Sequence, residues 1–305
     1  YAPVLWAVFG TNYITDYSST FYTSGQLECN ELQAVTVPSF QSCTNASYML
    51  NSCSGLSSIT LPTSWGSITN VSQMFYNCSS LSSIALPDSW GSVTNASYMF
   101  YNCYSLSSIT LPTSWGSITN ASNMLANCYS LSSITLPTSW GSVTNASYMF
   151  YNCYSLSSIA LPTSWGSVTN TSYMFNNCYS LRIINNLQYL GHQTTAANFT
   201  DFLKNAEAIS GTLTVASKLS KIGIYGTSSI PLKATGVRLT NGANTWTGSS
   251  PQIDVSYCSL NATALNTLFG DLETVTSKTI NITGNPGSAT CDKTIATNKG
   301  WTVTG

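Results

Sequence analysis

Residues Asn95 to Trp115 read NASYMFYNCYSLSSITLPTSW, and the chain repeats this stretch in tandem. Residues Asn145 to Trp165 differ from it only where Ala160 replaces Thr110. A cysteine and a tryptophan each recur every 25 residues, in two columns: Cys53, Cys78, Cys103, Cys128, Cys153, Cys178 and Trp65, Trp90, Trp115, Trp140, Trp165. Repetition at this period indicates a solenoid in which each unit forms one coil and buries its apolar side chains against its neighbours.

The pattern within a unit predicts one strand and one helical segment. Leu106, Ile109 and Leu111 alternate with Ser and Thr as in a half-buried strand of about six residues, which Pro112 ends. The stretch from Asn95 to Cys103 has apolar residues four apart, which predicts a short helix or helical turn. Because so short a helix is unstable alone in water, each unit needs its neighbours to fold.

These features predict a leucine-rich-repeat-like, right-handed solenoid. One continuous parallel β-sheet lines one side of it, and short helices or turns line the other. We expect a single elongated domain in three parts. Residues 1–42 form an N-terminal cap and a first degenerate repeat, residues 43–187 the regular array, and residues 188–305 irregular coils with a C-terminal cap.

Charged residues are scarce in this chain. They make up 6% of its 305 residues and leave a formal net charge of −1, so no basic field predicts a nucleic-acid partner. No apolar run reaches the roughly 18 residues of a spanning helix, so we expect no membrane span. The sequence begins at Tyr1 without an initiator Met, which favours removal of a signal and a location outside the cell, on a cell surface or on a virion.

The array lacks the residues that catalysis needs. Between Pro38 and Leu181 the sequence has one charged residue, Asp88, and no histidine, so it cannot supply an acid and base pair. The single histidine, His192, has no carboxylate or nucleophile beside it in the sequence. We therefore predict a protein without enzymatic activity and expect no catalytic residues, no metal ligands and no cofactor.

The cysteine column has two interpretations. Metal sites need converging ligands, whereas a 25-residue interval places one cysteine on each coil. Helical turns stacked about 10 Å apart would also hold neighbouring cysteines beyond the roughly 7 Å that a disulfide spans. A structural core column, shared with the tryptophans, is therefore the prediction, while Cys258 and Cys291 either pair with each other or belong to the core.

Asparagine sequons also recur in register, at Asn45, Asn70, Asn95, Asn120, Asn145 and Asn170. They mark either a row of glycans or residues that act as helix N-caps or form an asparagine ladder, and we favour the second interpretation. Further sequons lie out of register, at Asn77, Asn198, Asn261 and Asn281.

Two kinds of outward surface follow from the repeat. Strand positions such as Ser108 and Thr110 form hydroxyl rows that either are simply solvated or bind sugars, a protein or ice. Tyrosines recur in further rows, and rigid amphipathic rings suit contact surfaces.

Near the N-terminus, Val4, Trp6 and Val8 belong to an apolar segment that either caps the first coil or forms an assembly contact.

The M-F-x-x-C-x-x-L-x-x-I-x-L unit resembles the BspA-like leucine-rich repeats of bacterial and phage surface proteins, over about residues 13–187. The resemblance implies adhesion or surface display without catalysis. The leading hypothesis is an extracellular surface-display, adhesion or receptor-binding protein. A structural subunit of an extracellular filament or of a phage virion appendage is the alternative, and an ice-binding protein is a more distant one. The expected partners are a protein or glycan on a surface, or copies of the chain itself in a homo-oligomer or larger assembly.

Overall fold

A computed structural model describes residues 30, 32–37, 39–40, 42–189, 197–206, 208–216, 219–226, 233–240, 246 and 250–305. The predictions for Val4, Trp6 and Val8, for His192 and for most of the segment 1–42 lie outside these residues. The described residues form a parallel solenoid, which confirms the predicted fold class. The predicted single continuous sheet was wrong, because the described strands pair in five separate sheets of two to five strands.

Each coil of the array contributes one strand of three residues. The strands are β1 Ala34–Thr36, β2 Ser58–Thr60, β3 Ser83–Ala85, β4 Ser108–Thr110, β5 Ser133–Thr135, β6 Ser158–Ala160 and β7 Ile183–Asn185. Pairing is parallel and in register, so Ile109 lies opposite Ile134, with Ser and Thr on either side exposed. The predicted length of six residues was wrong because the Leu106 N–H donates to Cys103 O within its own coil, at 3.1 Å, and Pro112 has no N–H to donate.

The segment from Asn95 to Cys103 forms consecutive turns, so of the predicted alternatives, a short helix or a turn, only turns are present. Tyr98 has a φ of 57°, in the left-handed region, which interrupts a right-handed helix. The N–H groups of Ala96 and Tyr98 donate to Asn120 O and Ser122 O of the next coil, both at 2.9 Å. The turn side of the solenoid therefore adds a second set of hydrogen bonds between coils, besides those of the strands.

A ladder of asparagine side chains runs along this turn side. After the first member, each Nδ2 donates to the asparagine Oδ1 one coil earlier, at 2.6–2.8 Å. The members of the ladder are Asn77, Asn102, Asn127, Asn152, Asn177 and Asn205. All six have a φ of 59–62°, a conformation that asparagine tolerates better than most residues. The predicted asparagine ladder thus exists, but at positions different from the in-register sequons.

Apolar columns fill the space between the two sides. The indoles from Trp65 to Trp165 are nearly fully buried, and successive ring centroids lie 5.0–6.4 Å apart. Phenylalanines stack in the same way, for example Phe150 on Phe175 at 5.3 Å. Phe40 takes the tryptophan position in the first coil and meets Trp65 edge-on. One contiguous core therefore extends along the solenoid.

The C-terminal coils are less regular. Their elements are a 3-10 turn at Leu187–Tyr189, β8 Ala197–Phe199, β9 Ser210–Ala216, β10 Leu219–Gly223, β11 Lys233–Thr240, β12 Ile253–Asp254, α1 Ala262–Asp271, β13 Lys278–Asn281, α2 Thr294–Thr297 and β14 Trp301–Thr304. Strands β8, β10, β12, β13 and β14 form one parallel sheet, and β9 pairs with β11. Asn198 of β8 bridges to Asn170, so this sheet continues the turn side of the array.

The left-handed backbone of the asparagine ladder gives a stability prediction at Asn127, whose φ is 62°. Asn127→Gly and Asn127→Ala both remove its bonds to Asn102 and Asn152. Only alanine brings a Cβ into the left-handed region, so Asn127→Ala should unfold with about 1 kcal/mol less free energy than Asn127→Gly in urea titrations.

A control pair at Ser132, which has no positive φ, should show the reverse order because glycine there gains only unfolded-state entropy. Equal stabilities of the two Asn127 variants would contradict the left-handed conformation.

Candidate functional site

The in-register asparagines close turns. Asn95 Oδ1 accepts a hydrogen bond from Ser97 N at 3.0 Å, and the same bond recurs in every coil from Asn45 to Asn170. This is the Asx turn that asparagine and aspartate favour. The helix N-cap interpretation was wrong because no helix follows these residues.

The remaining sequon asparagines also satisfy backbone or ladder groups. Asn198 and Asn281 form the same Asx turn, with Thr200 and Thr283. Asn261 caps α1 by accepting from Ala264 N at 2.9 Å, and Asn77 belongs to the asparagine ladder. The asparagine of every described sequon therefore has a structural role. Because in-register asparagines lie one coil apart, about 4.8 Å, a glycan on each of them would collide with its neighbours.

The cysteines of the regular array are buried donors. Cys103 Sγ donates to Phe75 O of the preceding coil at 3.2 Å, and its equivalents in neighbouring coils do the same. Burial raises the pKa of these thiols above the usual range. The expected 10 Å spacing of the turn side was wrong, since that side is hydrogen-bonded from coil to coil.

Four described cysteines depart from this pattern. Cys43 Sγ donates to Asn45 O of its own coil at 3.2 Å. Cys53 is buried like the others but is disulfide-bonded, so it is not a free thiol of the core column. Cys258 is fully buried, and its Sγ donates to Ile224 O at 2.8 Å. Cys291 is partly exposed, and both Cys258 and Cys291 are free, so they do not pair with each other.

The described charges are few, and two ion pairs join four of them. Within the described ranges, no group of three or more His, Cys, Asp or Glu residues could hold a metal ion. Arg238 contacts Asp271 at 2.6 Å, and Lys204 lies 3.5 Å from Asp201. None of the helices described is long and apolar enough to cross a bilayer.

Stacked tyrosines cover part of the turn side. Tyr104, Tyr129, Tyr154 and Tyr179 form one column with centroids 4.7–5.2 Å apart, and Tyr104 is 39% exposed. In a second column, Tyr148 stacks on Tyr173 at 4.6 Å. These rings lie partly exposed on coils fixed by backbone hydrogen bonds. They form an ordered row of aromatic side chains, which we call the tyrosine face.

A third tyrosine column is interrupted. Tyr76 and Tyr101 stack at 4.9 Å, but Ala126 and Asn176 take the same position in the coils on either side of Tyr151. Beside Asn176 the surface opens into a cleft of about 360 Å³. Its lining residues are Tyr148, Tyr151, Tyr173, Asn176, Asn177, Lys204 and Asn205. We call this site the seam cleft, because it lies where the 25-residue period ends.

These features define a non-globular class of protein, a leucine-rich-repeat solenoid with a structured polar surface. The family model for the BspA type leucine rich repeat region matches six copies over residues 14–121 and 93–225. The chain belongs to this BspA-type leucine-rich repeat family.

Two solved structures are similar to the chain. A leucine-rich repeat protein of T. pallidum matches at 20% identity over 64% of this chain and 72% of its own, with a TM-score of 0.38. A leucine-rich repeat protein from Bacteroides ovatus matches at 17% identity over 83% of this chain and 70% of its own, with a TM-score of 0.44. No curated protein matches the sequence.

The Asx turns give a matched pair of variants at Asn120, whose Oδ1 accepts from Ser122 N at 3.0 Å. Asn120→Ala should lower the free energy of unfolding by about 1 kcal/mol because that N–H loses its acceptor. Asn120→Asp keeps an acceptor, as Asp254 does natively with Ser256, and should be nearly neutral in thermal melts. An aspartate variant as unstable as the alanine variant would contradict this role.

The buried thiols predict an alkaline limit to stability. Burial raises the pKa of Cys78, Cys103, Cys128, Cys153 and Cys178. Above about pH 8.5 the unfolded chain releases thiol protons that the folded chain keeps. The thiols therefore make their full contribution to the free energy of unfolding below that pH. Above it, stability should fall by about 1.4 kcal/mol per pH unit for each thiol, which circular dichroism between pH 8 and 11 would detect.

Alkylation without denaturant provides the companion measurement. These five thiols should remain unlabelled near pH 8 in peptide mass maps and should react fully after unfolding. Labelling of Cys103 in the folded protein, or a crosslink between Cys103 and Cys128, would contradict the buried donor geometry.

Proposed function

We propose that this chain is a non-enzymatic surface-display repeat protein that acts outside a cell and binds its partner through the tyrosine face. The observation that carries this proposal is the column of stacked, solvent-reaching tyrosines from Tyr104 to Tyr179. Such rings supply contact area and hydroxyl groups at low entropic cost, because packing has already fixed them. Membership of a repeat family without catalytic machinery supports a binding role.

Low charge favours close contact over this surface. The array from Pro38 to Leu181 contains one charged residue, Asp88, which is exposed. A partner protein or glycan can therefore cover the tyrosine face without stripping water from an ion, which is the most costly desolvation in an interface. The strands on the opposite side expose Ser and Thr rows of comparable regularity, so they provide a matched reference surface.

The test introduces one positive charge on the tyrosine face and, in a second variant, one on the strand side of the solenoid. Tyr129→Lys places a cation in the middle of the stacked column, whereas Thr135→Lys places it on an exposed strand position. Whole-cell and glycan-array binding of purified protein should fall at least about tenfold for Tyr129→Lys and stay within about twofold for Thr135→Lys. Equal binding by the two variants, or no binding to any cell or glycan, would overturn the proposal.

Self-association is the second candidate, because the same uncharged faces can meet one another. Sedimentation of the wild-type protein over a range of concentrations separates the two. Reversible oligomers that Tyr129→Lys dissolves, combined with no binding to cells or glycans, favour a structural subunit of a filament or virion appendage. A protein that stays monomeric at all concentrations excludes it.

A further inference from the structure

The seam cleft lies beside a tyrosine ring that has no stacked tyrosine in either neighbouring coil. In a stacked column each ring covers the face of the next, so a free face appears only where a column is interrupted. Tyr151 has Ala126 on one side and Asn176 on the other, and it meets Tyr148 edge-on, with centroids 5.6 Å apart. Replacement of a tyrosine by Asn176 therefore opens the cleft beside this ring.

Amide groups surround this aromatic ring. Asn177 and Asn205 are the last two members of the asparagine ladder, and Asn205 Nδ2 donates to Asn177 Oδ1 at 2.7 Å. No described residue donates to Asn205 Oδ1, which is buried. The amides of Asn176, Asn177 and Asn205 all line the cleft, and amides both donate and accept hydrogen bonds.

The charges next to the cleft are already engaged. Lys204 lies 3.5 Å from the Asp201 carboxylate and 5.4 Å from the centre of the Tyr225 ring. Asp201 also accepts hydrogen bonds from the hydroxyls of Tyr173 and Tyr225, and burial together with this carboxylate raises the pKa of both phenols. The cleft therefore offers hydrogen bonds and an aromatic face but no uncompensated charge for an ionic ligand.

We propose that the seam cleft binds a neutral saccharide. A sugar ring has an apolar C–H face that packs on the Tyr151 ring and hydroxyls that donate to and accept from the surrounding amides. The volume lies near the lower end of the usual range for ligand pockets, about 300–1,000 Å³, which suits a mono- or disaccharide. This inference names the ligand class of the proposed surface-binding function and rests on it for its biological setting.

The experiment is an NMR titration of the intact, isotope-labelled chain. The probes are glucose, galactose, mannose, N-acetylglucosamine and their common neutral disaccharides, each at millimolar concentration. At least one probe should shift the backbone amides of Lys204 and Asn205 saturably. Asn176→Tyr restores the interrupted column and fills the cleft, so it should weaken binding by at least about tenfold.

Matched variants separate loss of the site from loss of the fold. Gln73→Tyr fills the gap between Tyr48 and Tyr98, away from the cleft, and should leave affinity within about twofold. Tyr151→Phe keeps the aromatic face and should retain binding, whereas Tyr151→Leu removes that face and should lose it. Thermal melts of all four variants report whether the solenoid stays folded.

Three outcomes would overturn the proposal: no neutral probe shifts these amides, Asn176→Tyr binds as well as wild type, or only acidic sugars bind. If no neutral sugar binds while Tyr129→Lys still abolishes cell binding, the saccharide inference fails and the surface-binding function stands. If a sugar binds in the cleft but no cell or glycan surface is recognised, the reverse holds.

Discussion

Each coil of this protein must hydrogen-bond to the next along both of its long sides, and the rest of the structure depends on that constraint. The Ser-Ile-Thr and Ser-Ile-Ala strands supply one set of bonds, which is interrupted between β2 and β3 and between β5 and β6, and the turns from Asn95 to Cys103 and their equivalents supply the other. Parallel pairing fixes the spacing of equivalent residues at about 4.8 Å on both sides. The coil-to-coil spacing is then the same on both sides, so backbone pairing does not tilt one coil relative to the next. Equivalent side chains of neighbouring coils are therefore brought into contact.

Contact between identical side chains favours residues that are complementary to themselves. Asparagine has a donor and an acceptor on one amide, so a column of it satisfies both groups, as at Asn102 and Asn127. Indole has only a donor, and Nε1 of the five stacked tryptophans from Trp65 to Trp165 has no partner among the described residues. Each buried donor costs about 1–3 kcal/mol, which burial of a large ring and aromatic stacking offset. The core therefore contains one unpartnered indole N–H in each of these coils, and the indole rings fill its interior.

The sequence predicted the period, the inward columns and the parallel solenoid, because these follow from spacing alone. It left open whether this side carries short helices or turns, since an asparagine followed by apolar residues four apart is typical of a capped helix as well as of consecutive Asx turns. One overlooked signal was the column of asparagines at Asn102, Asn127 and Asn152, because asparagine is enriched in left-handed backbone. The disulfide of Cys53 had no signature, because that residue occupies the same column as the free thiols.

The seam cleft could not be located from the sequence for a related reason. Asn176 is visible as a break in a tyrosine column, but Ala126 is a similar break, and only the folded chain shows which one opens a cleft. The difference arises in the following coil, where the interval lengthens to 28 residues between Asn177 and Asn205 and where Asp201 and Lys204 bring the first charges to this surface. In a perfect array every coil offers the same surface, so no position is unique. A site that distinguishes one ligand from another must therefore form at a coil whose sequence departs from the repeat. The regular coils hold the residues of that coil in a fixed geometry.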